Sequence, residues 1–220
     1  MKFRKRSAWV LVGGLLLLTA CAPSDASTKA APEPAQAVDD NAVAEKGDQN
    51  ITQIDTAVSW ATTVYEDEYI SYEIPESWVM SPENSNEKTR LTFFIPKETT
   101  TDRPSNVNIA ITLNNSTKDL DYGDPSIQAD FHDFLNSLVG EDLPEEAADG
   151  VFTVYQSDVG YVYALAFDRP VDETITAHQT FYGIMGLDYG ITIWATDWKD
   201  GCSPSVDEIA QHICSTIQIK

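Results

Sequence analysis

From about Asp55 onward the chain moves between two hydrophobic periods. Tyr69 to Pro75 sets Ile70, Tyr72 and Ile74 against Ser71 and Glu73, a period of two that predicts a half-buried strand. Val58 to Tyr65 reads as its hairpin partner. Arg90 to Pro96 puts Leu91, Phe93 and Ile95 on one side of a strand, and Val107 to Leu113 alternates Val107, Ile109, Ile111 and Leu113 with Asn108, Ala110 and Thr112. A polar loop containing Pro104 joins them. The period then changes to three and four in Ile127, Phe131, Phe134, Leu135 and Leu138, with Asp124 at the N-cap, Pro125 at the first helical position and Gly140 just past the end. These are the start and stop signals of an amphipathic helix.

Four further strands are expected at Val151 to Ser157, Tyr161 to Phe167, Thr174 to Met185 and Leu187 to Thr196. The last two form a long hairpin, because aromatic and β-branched residues lie on both sides of a Gly-containing turn. Ser205 and Glu208 have the spacing of a capping box, ahead of Val206, Ile209, Ala210, Ile213 and Ile217 at helical period. A meander of about 6–8 antiparallel strands with one mid-chain and one C-terminal helix is an α+β domain. About 165 residues, without an internal repeat or a second linker, suffice for one core.

The first fifty residues have a different character. Lys2, Arg4, Lys5 and Arg6 precede an apolar run from Ala8 to Ala20, the layout of an export signal. Thirteen residues are short of the roughly twenty that a membrane-spanning helix needs. Leu18-Thr19-Ala20-Cys21 resembles the lipobox of bacterial lipoproteins. That resemblance implies a signal peptide over 1–20, removal just before Cys21, and a diacylglyceryl group on the Cys21 thiol; two acyl chains give stable anchoring where one is marginal. Residues 21–54 are rich in Ala, Pro, Asp, Ser, Gln and Asn and lack aromatics. Such a segment cannot bury enough surface to fold, so it reads as an acidic, Ala/Pro-rich disordered tether with a reach of roughly 30 Å. The domain is then 55–220, held at the extracytoplasmic face of the cell membrane.

Charge narrows the partners. The chain holds 14 basic and 35 acidic residues. Removal of the signal, with its four basic residues and no acidic ones, leaves 10 against 35, or −25. Nucleic acid and direct docking on anionic lipid are disfavoured; an envelope protein or a small envelope ligand is the expected partner.

The element order, with Pro75-Glu76-Ser77-Trp78 following the opening hairpin, is similar to that of the Mog1/PsbP-like fold. The resemblance implies a partner-binding or accessory role and supplies no catalytic residue. The side chains agree. There is no G-x-S-x-G, and nothing local pairs His132, His178 or His212 with a nucleophile. Asp119, Asp121 and Asp124 surround Gly123, but an EF-hand counted from Asp119 would need a bidentate Glu where Asp130 stands. Capping and a polar turn explain them more simply, so no metal or other cofactor is expected. Trp60, Trp78, Trp194 and Trp198 are candidates for a sugar- or peptide-binding groove as well as for the core. Cys202 and Cys214 are an even pair in an exported chain and a candidate disulfide. Cys214 lies about 13 Å along the last helix, however, so the bond requires the loop before Ser205 to fold back. The sequence thus predicts a lipid-anchored, non-catalytic binding or accessory domain. An envelope hydrolase, a carbohydrate- or wall-binding module and a calcium binder remain as alternatives.

Overall fold

The computed structural model describes residues 51–220 except 55, 56, 100, 102, 114, 116, 172 and 199–201. The expected signal peptide, Cys21 and nearly all of the expected tether lie outside the described residues. In chain order the elements are β1 (Thr52–Gln53), β2 (Thr62–Glu66), β3 (Ile70–Pro75), β4 (Trp78–Met80), β5 (Leu91–Pro96), β6 (Asn106–Thr112), α1 (Pro125–Ser137), β7 (Val151–Ser157), β8 (Gly160–Pro170), β9 (Thr176–Ile184), β10 (Gly190–Trp198), α2 (Val206–Thr216) and β11 (Gln218–Ile219). Short 3-10 turns occupy Glu87–Thr89 and Glu145–Asp149.

Eight strands form one sheet in the order β1-β7-β8-β9-β10-β6-β5-β4, antiparallel except for β1 beside β7. The class is α+β, as the periods predict. The sheet joins two meanders, β4 to β6 and β7 to β10, along the β6–β10 pairing; α1 lies in the crossover between them. One expectation changes here. The opening hairpin β2–β3 does not extend the large sheet but pairs with β11 in a separate three-stranded sheet. Its inward residues Ile70, Tyr72 and Ile74 pack with Val206, Ile209, Ala210, Ile213 and Ile217 of α2, and together they cover Val107, Ile109, Ile111, Ile191 and Ile193 of the large sheet. Fully burying each such side chain contributes about 1.5–3 kcal/mol.

The opposite face is covered over only part of its width. Leu135 of α1 and Ala147 pack on Leu165, Phe167 and Phe181, while Phe131, Leu138 and Trp194 border that cluster. Beside it Tyr122, Val154, Tyr163 and Met185 close a smaller cluster. Being covered on both sides, β8 reads as the unbroken apolar run Tyr161 to Phe167, whereas β6, covered on one, alternates.

The caps follow the sequence. Asp124 accepts the Ser126 amide at 2.8 Å, and Gly140 adopts φ +84° just beyond α1. Ser205 and Glu208 bond each other's backbone amides in the capping box of α2. The fold begins three residues earlier than expected, at β1, because Ile54 is buried in the main core.

Candidate functional site

The register of the large sheet assembles a polar centre that the linear order hides. His178 on β9 stands opposite Asp168 on β8 and Asp197 on β10. Because α2 packs over this face, Asp207 in its first turn arrives beside the same imidazole. His178 Nδ1 lies 2.8 Å from Asp168 Oδ1, and Nε2 lies 3.1 Å from Asp207 Oδ2. The second Asp207 oxygen accepts the Tyr182 hydroxyl at 2.8 Å. Burial acts to lower the His178 pKa, but the Asp168 hydrogen bond and the Asp207 charge outweigh it and hold the ring above its ordinary range. Burial, then the Asp207 charge, pushes the Tyr182 hydroxyl far upward.

Each ring nitrogen therefore faces a carboxylate, the arrangement of an imidazolium that donates twice. A catalytic base needs one free nitrogen aimed at a nucleophile, and here the nearest hydroxyl is Thr180 Oγ1 at 3.5 Å from Nε2. The cluster is a clamp between the β8–β9 pair and α2. Sequence reasoning missed Asp168 and Asp207, which are 10 and 29 residues from His178; only strand register and helix docking bring them in.

The other candidates disperse. His212 is buried, faces Glu73 at 3.1 Å through Nε2 and meets Trp60 edge-on at 5.9 Å. The Glu73 carboxyl is held down first by the Thr62 hydroxyl and then by His212. His132 stacks on Phe152 at 4.8 Å. Asp121 accepts the Gly123 amide and Asp124 caps α1, so both serve the turn. Among the described residues no group of three or more His, Cys, Asp or Glu is arranged to hold a metal ion.

Of the four candidate tryptophans, Trp78 is buried in the main core. Trp194 packs on Phe167 and Phe181 on the opposite face, and Trp198 lies under the Arg103 guanidinium. They do not line one groove. Cys202 and Cys214 stand as free thiols in this structure, half-buried and buried respectively. Asp197 and the first turn of α2 surround Cys202, whereas Cys214 sits deeper, near Tyr182. Burial, followed by the Asp197 charge, pushes the Cys202 thiol up to about 11; burial pushes Cys214 higher still.

A second feature emerges from the register. On β5, Phe94 points into the main core, so Leu91, Phe93 and Ile95 point the other way. Their neighbours there are Val79 on β4, Asn108 and Ala110 on β6, and Thr192 and Trp194 on β10. Leu91, Phe93 and Ile95 are half-buried and stand outside the three apolar clusters of the described residues; Val79 is 43 % exposed. The alternation along β5 puts these three on one side of the strand, the side that among the described residues carries no apolar cluster. Among the described residues, the apolar clusters that include α1 side chains reach β10 at Trp194 and go no further toward β4.

No family model matches the chain, and no curated protein matches it. Among solved structures it is similar to the solution structure of cyanobacterial PsbP (CyanoP) from Synechocystis sp., at 14% identity and a TM-score of 0.45, over 73% of this chain and 93% of that one. It is also similar to a Bacteroides thetaiotaomicron protein, at 10% identity and a TM-score of 0.44, over 74% of this chain and 49% of that one. The first bears the PsbP name to which the element order is similar. At these scores the likeness is one of outline and transfers no residue or role.

Proposed function

We propose that the protein is a lipid-anchored, extracytoplasmic binding or accessory domain that carries out no reaction of its own. The observation that supports this most is the open apolar face Val79, Leu91, Phe93 and Ile95 on a mature chain of formal charge −25. Charge secures solubility elsewhere, yet on this stretch of sheet Leu91, Phe93 and Ile95 are only half-buried and Val79 is exposed, and apolar side chains left partly open to solvent side by side suit an interaction site. The clamp at His178 supports the same reading, since one ring nitrogen meets Asp168 of β8 and the other Asp207 of α2, which leaves neither free to take a proton from a nucleophile.

Anchoring rests on the likeness of Leu18 to Cys21 to a lipobox, and the stretch after Cys21 is the reach of the domain from the membrane. The reading is tested by crosslinking in native membranes followed by pull-down of the protein, with Cys21→Ala as control. A reproducible partner that disappears in the control is expected. Recovery of export and lipidation machinery alone would overturn the proposal and return weight to a small ligand or a hydrolytic role.

A further inference from the structure

A polar junction around His212 joins the small sheet to α2. The imidazole is 4% exposed, and its Nε2 lies 3.1 Å from Glu73 Oε2 on β3. The Glu73 carboxyl also takes a hydrogen bond from Thr62 of β2, and the two contacts favour its ionised form. The Glu73 amide donates to Thr216 Oγ1 at 3.1 Å, and that hydroxyl donates to the His212 carbonyl at 2.8 Å. Two polar atoms of the junction stand apart: among the described residues, His212 Nδ1 and the Trp60 indole Nε1 are buried without a hydrogen-bond partner. They belong to neighbouring rings, which meet edge-on with centroids 5.9 Å apart and planes at 77°.

Proton placement follows from the partners. An ionised carboxylate only accepts, so Nε2 carries the hydrogen that points at Glu73. Nδ1 of the neutral ring then holds a lone pair and can only accept, whereas the indole N–H can only donate. The two orphaned atoms are complementary. Burying either one unpaired is costly, because each has given up water and gained nothing in exchange. An imidazolium would set a second N–H beside the indole N–H, two donors with no acceptor between them in a place closed to bulk solvent. A single water molecule serves both atoms, accepting from one nitrogen and donating to the other. Two hydrogen bonds of about 2.9 Å through one oxygen join nitrogens up to about 5.8 Å apart, a span that suits rings whose centroids are 5.9 Å apart. Two polar partners are enough to hold a buried water.

We infer that Trp60 and His212 form a binding site for one buried water molecule, which accepts the Trp60 Nε1 hydrogen and donates to His212 Nδ1. The row from Trp60 through the water and His212 to Glu73 then has every hydrogen pointing the same way, and Thr62 donates to the carboxylate at its end. Trp60 lies between β1 and β2, outside any strand. The water therefore fastens the lead-in of the small sheet to α2.

The test is nuclear magnetic resonance on the full chain, with 15N in the histidine and tryptophan side chains. Both main observables are read on the wild-type protein, so neither depends on a variant that folds. Near neutral pH, His212 should show a bare Nδ1 and a protonated Nε2, two nitrogens widely separated in chemical shift. The Trp60 indole hydrogen should show cross-relaxation to water with the sign given by a held molecule rather than by hydrogen exchange. In His212→Phe, shown to fold by its melting transition, that cross-peak should fall at least about fivefold, since an apolar wall replaces one of the two partners of the water. A hydrogen on His212 Nδ1, in either the other tautomer or the imidazolium, would overturn the inference. So would a Trp60 indole without a water contact, or a scalar coupling between Trp60 Nε1 and His212 Nδ1, the mark of a direct bond. A water contact undiminished in folded His212→Phe would overturn the sharing of the site.

Discussion

Replacing His178 with glutamine should destabilise the protein at low pH and leave it nearly unaffected at high pH. The clamp consists of two ion-pair contacts, to Asp168 at 2.8 Å and Asp207 at 3.1 Å, and its side chains are 43%, 69% and 30% exposed. At that exposure solvent screens each pair to about 0.5 kcal/mol, or about 1 kcal/mol together. For a chain of this size 1 kcal/mol moves the melting temperature by about 3 °C. Because the native pKa is raised, the imidazolium contribution is complete below the unfolded histidine value of about 6.5 and is lost as pH rises through the native one. The titratable groups about the ring are Asp168 from β8, Asp207 from α2 with the Tyr182 hydroxyl on its other oxygen and, by register, Asp197 from β10. Comparing wild type with His178→Gln at each pH removes the titration of every other group from the difference. Scanning calorimetry from about pH 5.5 to about pH 8.5 should show a gap of about 3 °C at the acid end that closes toward the alkaline end. A gap that is constant across the range, or one that widens with pH, would refute the charged clamp.

Asp207→Asn disturbs both His178 and the Tyr182 hydroxyl, so its loss should exceed that of His178→Gln by about 1 kcal/mol and persist at high pH, read from urea unfolding. Ser205→Ala removes one half of the capping box of α2 and should cost about 1 kcal/mol in the same assay. Gly140 has φ +84°, and a Cβ added there would meet nothing within 4 Å, so Gly140→Ala should lose about 1 kcal/mol through backbone strain alone, with Gly140→Asn recovering part of it. Gly123→Ala meets the Tyr161 hydroxyl at 2.5 Å, a steric rather than conformational fault that Tyr161→Phe should relieve in a double-mutant cycle. With its thiol at about 11, Cys202 should react slowly with a disulfide reagent at about pH 8 in the native protein; after unfolding without reductant, both Cys202 and Cys214 should titrate as thiols.

Local chemistry made the helices and the central strands readable. Asp124-Pro125 and Gly140 bracket α1, Ser205 and Glu208 begin α2, and β7 runs from Val151 to Ser157 as its alternation predicts. What was not readable depended on distance along the chain. β1 and β11 are two residues each and have no period of their own; they form because Ile54 and Ile217 are buried beside them. The separation of β2–β3 from the large sheet is a matter of packing against α2, which no hairpin signal encodes. Leu91, Phe93 and Ile95 show best why this face of the sheet stayed hidden. Period two identifies two faces of β5, and with Phe94 on the other face apolar content cannot say which is inward; only the pairing with Val107 and Asn108 decides it. The His178 clamp, likewise, exists through register and helix docking rather than spacing.

The most direct test of the proposed binding role of this face compares partner recovery from native membranes for full-length wild type, Val79→Asp and His178→Gln, each first shown to fold by its melting transition. Val79 lies on the open face and His178 in the clamp on the other side of the sheet. Partner recovery lost in Val79→Asp and retained in His178→Gln is the predicted result. Recovery unaffected by Val79→Asp and abolished by His178→Gln would contradict it, and would shift the working surface of the protein to the histidine cluster.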